Sequence, residues 1–176
     1  MSEKEKELLR KAKDGDEGSF EILMKENYQR IFQLAYRLMK NEDDAYELTS
    51  DTFLRAYQNL NRFRGDSSFF TYLYRICLNL GINRLKKKRL TLSLGERDFP
   101  TARGVLEEER NEKLREAIEL AIQSLPPRER VVFILKEKED KKIKEIAQIL
   151  NLKEGTVKAT YFQAVKKLRH SLKEWL

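Results

Sequence analysis

Apolar residues along this chain recur mainly at three- and four-residue steps, the spacing of helices buried on one side. Over residues 19–41 the set is Phe20, Leu23, Met24, Tyr28, Ile31, Ala35 and Leu38, which forms one face of an amphipathic helix. A short amphipathic helix over residues 4–13 stands in front of it. Asn41, followed by Glu42, Asp43 and Asp44, supplies a cap and first-turn negative charge for a second helix running to about residue 60. A polar stretch holding Gly65 then interrupts the pattern, and a long third helix follows, with Phe69, Leu73, Ile76, Cys77 and Leu80 as its inward set. These helices stack into a first domain, residues 1–90.

Residues 91–104 carry Thr, Ser, Gly and Pro without periodicity and read as a linker. A helical, acidic pattern resumes over residues 105–123. Pro126 and Pro127 end it and start the next helix, because proline fits a helix's first turn but not its interior. Ile143, Ile146, Ala147 and Leu150 share one face of a short helix, Asn151 suits a left-handed turn, and Lys153, Glu154, Gly155 and Thr156 open another helix. Val157, Tyr161, Ala164, Val165, Leu168 and Leu172 are its inward stripe. The fold class is all-α: two small helical domains joined by a linker, the second spanning residues 105–176 and containing a helix-turn-helix.

Charge adds a partner to this outline. The net charge of +7 is uneven: residues 1–90 hold 18 basic and 14 acidic side chains, residues 91–125 hold 5 and 8, and residues 126–176 hold 13 and 7. Two basic blocks flank an acidic middle, and basic surface attracts polyanions. On the last long helix, the face opposite the apolar stripe carries Ala159, Gln163 and Lys166, flanked by Thr156, Phe162 and Lys167. Glutamine can read adenine, lysine guanine or phosphate, and alanine, threonine or an aromatic edge the thymine methyl. A helical hairpin with a solvated basic face is the plainer alternative.

Two further constellations lie in the first domain. Asp44, Glu47 and Asp51 form an acidic stripe on one helix face. They are either solvated surface with helix-dipole compensation or a docking face for a basic protein, with Leu48, Phe53 and Tyr57 as apolar anchors; acid–base catalysis is a remote third reading. On the third helix the outward set is Tyr72, Arg75, Asn79, Asn83 and Lys86. Such a face can stack an unpaired base and follow a phosphate chain, and the loop of Arg62, Phe63, Arg64, Gly65, Asp66, Ser67 and Ser68 can pocket a flipped base. The alternative is a core tyrosine and an exposed basic helix end.

One cysteine and one histidine exclude an internal disulfide, a cysteine zinc cluster and most triads, so no metal, no cofactor and no enzymatic activity are expected. No apolar run approaches the roughly 20 residues of a membrane span, and the charged start does not suit a signal peptide. A cytoplasmic protein without membrane insertion is expected.

Three blocks of sequence occur in a telling order: DAYELTSDTFLRAY at 44–57, RFRGDSSFFTYLYRI at 62–76 with Asn79 and Asn83, and LPPRER at 125–130 with EIA at 145–147 and GTVK at 155–158. Together they resemble the bacterial extracytoplasmic-function sigma factors, the smallest of the factors that give RNA polymerase its promoter specificity. The first block resembles their region 2.2, the second their promoter-melting segment and the third their region 4. The resemblance implies that Asp44, Glu47, Leu48, Asp51, Phe53 and Tyr57 meet the beta-prime clamp helices of core polymerase. It places the minus-10 strand at residues 62–67, Phe69, Tyr72, Arg75, Asn79, Asn83 and Lys86. It gives the duplex minus-35 element to Gly155, Thr156, Lys158, Ala159, Thr160, Phe162, Gln163, Lys166 and Lys167. The beta flap and an anti-sigma factor are further implied partners. Tyr46 replaces a usual acid, Tyr72 a usual tryptophan, and Thr160 and Gln163 frequent arginines. A stand-alone helix-turn-helix regulator is the alternative, but it leaves the acidic stripe and the surface of residues 62–88 without a role.

Overall fold

The computed structural model describes residues 1–92 and 107–175. Among them are eight α-helices, two single 3-10 turns and no strand. The chain divides into two compact units, Met1–Arg84 and Leu85–Leu176.

In the first unit, α1 (Glu3–Lys13), α2 (Glu17–Met39) and α3 (Glu42–Gln58) precede α4 (Phe69–Leu92), whose last turns continue beyond the unit. Asn41 caps α3 by accepting from the Asp44 N–H at 2.9 Å. The turn before it bends through Lys40 at φ 55°, a left-handed conformation that costs a side-chain-bearing residue energy. The core is drawn from Leu23, Ile31, Leu34, Leu38, Leu48, Phe69, Leu73 and Leu78, all essentially inaccessible to water. Two threonines of α3, Thr49 and Thr52, are also fully buried, and their hydroxyls donate to the carbonyls of Ala45 and Leu48, both at 2.7 Å. Each polar group is thus paired within its own helix. Gly81 brings α4 close to its neighbours, since a Cβ there would stand 3.0 Å from the Leu38 Cδ1 and 3.5 Å from the Leu48 Cδ2.

The inward faces differ in places from those expected. On α2, Tyr28 is exposed, and Asn27 is buried instead with its amide donating to the Leu23 carbonyl at 2.8 Å. On α4, Tyr74 and Leu78 are buried while Ile76 and Leu80 stay half-buried. A helix enclosed by several neighbours buries more than one stripe, so a single periodic set underestimates it. The α4 helix also runs on to Leu92, past the expected start of the linker. The rest of that linker, through residue 104, lies outside the described residues, as does Val105.

The second unit contains α5 (Glu107–Ser124), α6 (Pro127–Glu137), α7 (Ile143–Leu150) and α8 (Glu154–Ser171). Helices α5, α6 and α7 all pack on α8. Pro127 occupies the first position of α6, where its missing N–H is no loss. Asn151 takes the left-handed conformation at φ 53°, and the Leu152 N–H reaches back to the Ala147 carbonyl at 2.9 Å. This closes the tight turn between α7 and α8. Val131, Val132, Leu135, Ile146, Val157 and Ala164 make the core.

Candidate nucleic-acid interfaces

The sequence fixes the orientation of α8 because Val157, Ala164 and Leu168 are buried, with Tyr161, Val165 and Leu172 half-covered beside them. Gly155, Thr156, Lys158, Ala159, Gln163 and Lys166 are consequently exposed, and Phe162 stands 65% exposed. Thr160 is half-buried and donates to the Thr156 carbonyl at 2.8 Å, which leaves mainly its methyl group to offer. Lys167 is exposed but ion-paired with Glu129 of α6 at 2.7 Å, and Tyr161 donates to Glu137 at 2.7 Å. That hydrogen bond is the chief reason the Tyr161 hydroxyl titrates above its usual range. Both bonds tie α8 to α6 and hold the exposed face at a set angle. Glu145 accepts from the Lys142 backbone N–H at 2.7 Å and closes the start of α7.

The second candidate surface is built differently. Residues 62–68 cross above a cluster of rings: Phe63 and Tyr72 lie 4.7 Å apart, Phe63 and Phe69 6.1 Å, Phe20 and Phe69 6.2 Å, and Phe20 and Tyr57 4.9 Å. Phe63 and Phe69 are buried, so these two serve as floor rather than contact. Tyr72 is half-buried, its hydroxyl 3.4 Å from the Asn59 carbonyl, and burial raises its titration above the usual range. Arg62, Arg64 and Asp66 are exposed above the floor, and Gly65 turns the chain at φ 81°. Along α4, Arg75, Asn79, Asn83 and Lys86 form an exposed row leading away from the loop. Amides and cations are therefore solvent-facing, while the aromatic members are the base on which they stand.

The acidic stripe of α3 keeps Glu47 and Asp51 exposed and Asp44 half-buried. Two of its expected anchors are inside: Leu48 is fully buried and Phe53 is 4% exposed, because each faces α3's packed side. Leu54, 55% exposed, is the apolar side chain that α3 presents one turn beyond Asp51. Tyr57 is partly exposed but belongs to the ring cluster beneath the loop. Arg84 of α4 bridges the stripe, its guanidinium 2.9 Å from Glu47 and 2.5 Å from Asp51. Partial burial opposes that charge, but the two carboxylate bonds outweigh it and hold the Arg84 pKa above normal. Cys77 lies buried in the same unit, where burial pushes the thiol up to about 12, so it is a small core side chain rather than a nucleophile.

The sequence reading gave α1 no part in this surface. Yet Glu5 accepts from the Phe69 N–H at 2.9 Å, and Lys13 donates to the Phe63 carbonyl at 2.6 Å. The available signal was the position of Glu5 within the apolar stripe of Leu8, Leu9 and Ala12, where a charge requires a partner.

Comparison with known proteins decides the family. The family Sigma-70 region 2 matches residues 23–91, and Sigma-70, region 4 matches residues 115–168. The ECF RNA polymerase sigma factor SigW of Bacillus subtilis (strain 168) is 32% identical over 181 residues, covering 96% of this chain and 97% of that protein. This chain belongs to the ECF RNA polymerase sigma factors. The ECF sigma-E factor of Escherichia coli (strain K12) is 30% identical, covering 89% of this chain and 88% of its own. Among solved structures, CnrH in complex with the cytosolic domain of CnrY has the same fold, with a TM-score of 0.62 at 23% identity over 97% of this chain and 98% of that one. The sigma factor RpoE in complex with the anti-sigma factor NepR from Bartonella quintana gives 0.60 at 20% identity over 88% and 96%. The all-α architecture expected from the sequence is borne out, and this sigma factor acts in promoter-specific initiation by RNA polymerase. Among the described residues no helix is long and apolar enough to cross a membrane, and no cluster of side chains suits a metal ion.

Proposed function

We propose that this sigma factor divides promoter recognition between two working bodies, residues 1–90 and 105–176, and holds core polymerase by a third surface on α3. The observation that carries this reading is the pair of unlike exposed faces, an amide-and-cation row behind a loop on α4 and a mixed base-reading face on α8. The α8 face, from Gly155 to Lys167, reads the minus-35 element as intact duplex. Residues 62–68 and the row of Arg75, Asn79, Asn83 and Lys86 capture the opened minus-10 strand, over the floor of Phe63, Phe69 and Tyr72. Preferential binding to the single strand shifts the melting equilibrium without any hydrolysis. Glu47, Asp51 and Leu54, with Asp44 and Tyr57 at the margins, meet the polymerase clamp. An anti-sigma protein is a further partner, by likeness to the sigma factor RpoE solved in complex with the anti-sigma factor NepR. The site of action is the cytoplasm, where polymerase and promoters are.

The test is transcription with sigma-free core polymerase and a genomic promoter library, which should yield a limited set of specific start sites. The absence of promoter-dependent transcripts from every template would sink the reading. Within it, Asp51→Lys should weaken association with core by about tenfold, because a reversed rim charge opposes a basic partner. Unchanged co-purification would remove α3 as the docking face.

A further inference from the structure

Helix α1 carries eight charged side chains, and six of them point into solvent. The other two, Glu5 and Lys13, are half-buried and reach the two ends of the loop over residues 63–69. Lys13 donates to the Phe63 carbonyl at 2.6 Å, with its ammonium 5.9 Å from the centre of that ring. Glu5 accepts from the Phe69 N–H at 2.9 Å, the first N–H of α4. Ser68 satisfies a neighbouring one, its hydroxyl accepting from the Thr71 N–H at 3.2 Å. Unsatisfied N–H groups carry the positive end of the helix dipole, so a carboxylate beside Phe69 is favourable in charge as well as geometry.

Helix α1 is a firm support for these contacts. Ser2 caps its start by accepting from the Glu5 N–H at 3.1 Å, and Leu8, Leu9 and Ala12 are buried beneath it. Lys4 pairs with Glu26 of α2 at 2.6 Å. Glu5 and Lys13 are eight positions apart, or about 12 Å along a rigid helix. The six steps of chain from Phe63 to Phe69 could reach about 20 Å if extended, so the anchors select one narrow spacing from a wide range.

We infer that α1 is the clamp of the strand-capture loop, and that Glu5 and Lys13 are positioning residues for minus-10 base recognition. The inference rests on the assignment of residues 62–68 to the minus-10 strand. A loop whose ends are fixed has lost its conformational freedom on folding, so the arriving base does not have to order it. Pocket shape, and with it base preference, follows from the spacing of the ends.

The experiment uses holoenzyme assembled from the full chain and core polymerase. It measures binding to single-stranded oligonucleotides randomised over the minus-10 positions, alongside duplex minus-35 binding, polymerase association and thermal unfolding. The Glu5→Ala, Lys13→Met double variant should bind single strands about tenfold more weakly, with a flattened base preference and unchanged duplex binding. Glu5→Gln should restore most of the preference, because its amide oxygen can still accept from Phe69. Should the double variant unfold, Lys13→Met alone keeps the aliphatic stem over Phe63 and should show the same change at about threefold.

An unaltered preference in the α1 variants, together with a changed one in an Arg64→Ala, Asp66→Ala loop variant, would overturn the clamp and leave the loop assignment standing. If preference is kept while unfolding temperature and polymerase association fall together, α1 is a stability element only and the inference is wrong. If neither loop nor α1 variants alter preference, the loop assignment fails and the clamp falls with it.

Discussion

The loop over residues 62–68 and helix α8 carry the two expected contacts with DNA, and they are held in different ways. Helix α8 is rigid in itself. Its face follows from one buried stripe, a left-handed turn at Asn151 and two bonds to α6. The loop has no such internal order and depends on rings from three helices, a carboxylate from α1 and an ammonium from the same helix. The difference fits the two tasks proposed for them. Duplex DNA presents a fixed groove that a preformed helix can enter, whereas an opened strand has no shape of its own and must be met by a surface assembled from several elements.

The contrast is most strongly tested at its aromatic members. Phe69→Ala should cost about 3–5 kcal/mol of stability in denaturant unfolding, as a fully buried ring is lost from under the loop. Phe162→Ala, at an exposed position, should leave stability unchanged and alter only minus-35 binding; a cost below about 1 kcal/mol at Phe69 would show that the floor is not core. Next in size is Gln163→Ala, expected to remove about 1–3 kcal/mol of discrimination at one minus-35 base pair with no effect on single-strand binding. An unaltered base profile would take Gln163 off the reading face. Asn151→Ala should destabilise the second unit by about 1 kcal/mol and Asn151→Gly should not, since only glycine takes the left-handed turn without strain; equal unfolding midpoints would argue against the turn.

The smallest difference concerns neighbouring lysines. Lys166→Ala should reduce the salt dependence of minus-35 binding by about one counterion. Lys167→Ala should reduce it by less, because Glu129 already partners that ammonium. Equal slopes from titrations in potassium chloride would remove the distinction. Cys77 offers a check on the floor: with its thiol held near 12 by burial, labelling by a thiol reagent at pH 8 should be absent in the native protein and complete in denaturant. Labelling of the native chain would mean that the core beside α4 opens readily.

What could be read from the sequence follows the same division. Helix α8, its turn at Asn151 and the start of α6 at Pro127 were legible because each depends on neighbours within a few residues. The cap at Asn41 was legible for the same reason. The roles of Leu48 and Phe53 were not, because α3 is enclosed on more than one side and periodicity cannot say which apolar side chains remain outside. Arg84, Glu5 and Lys13 each act on residues more than thirty positions away. No local spacing encodes such a meeting. Of the surface proposed to capture the strand, the exposed polar row was readable and the support beneath it was not.

The bridge from Arg84 to Glu47 and Asp51 has a consequence for the life of the free protein. A bare row of carboxylates would attract any polyamine, basic tail or stray cationic peptide that diffused past. With a guanidinium already seated there, an incoming cation has to displace it, and the exchange leaves little net electrostatic gain. Loose encounters with basic molecules are thereby discouraged, and a lasting one needs shape as well as charge, including a place for Leu54. An internal counterion of this kind acts as a tenant that only a well-fitted successor can evict.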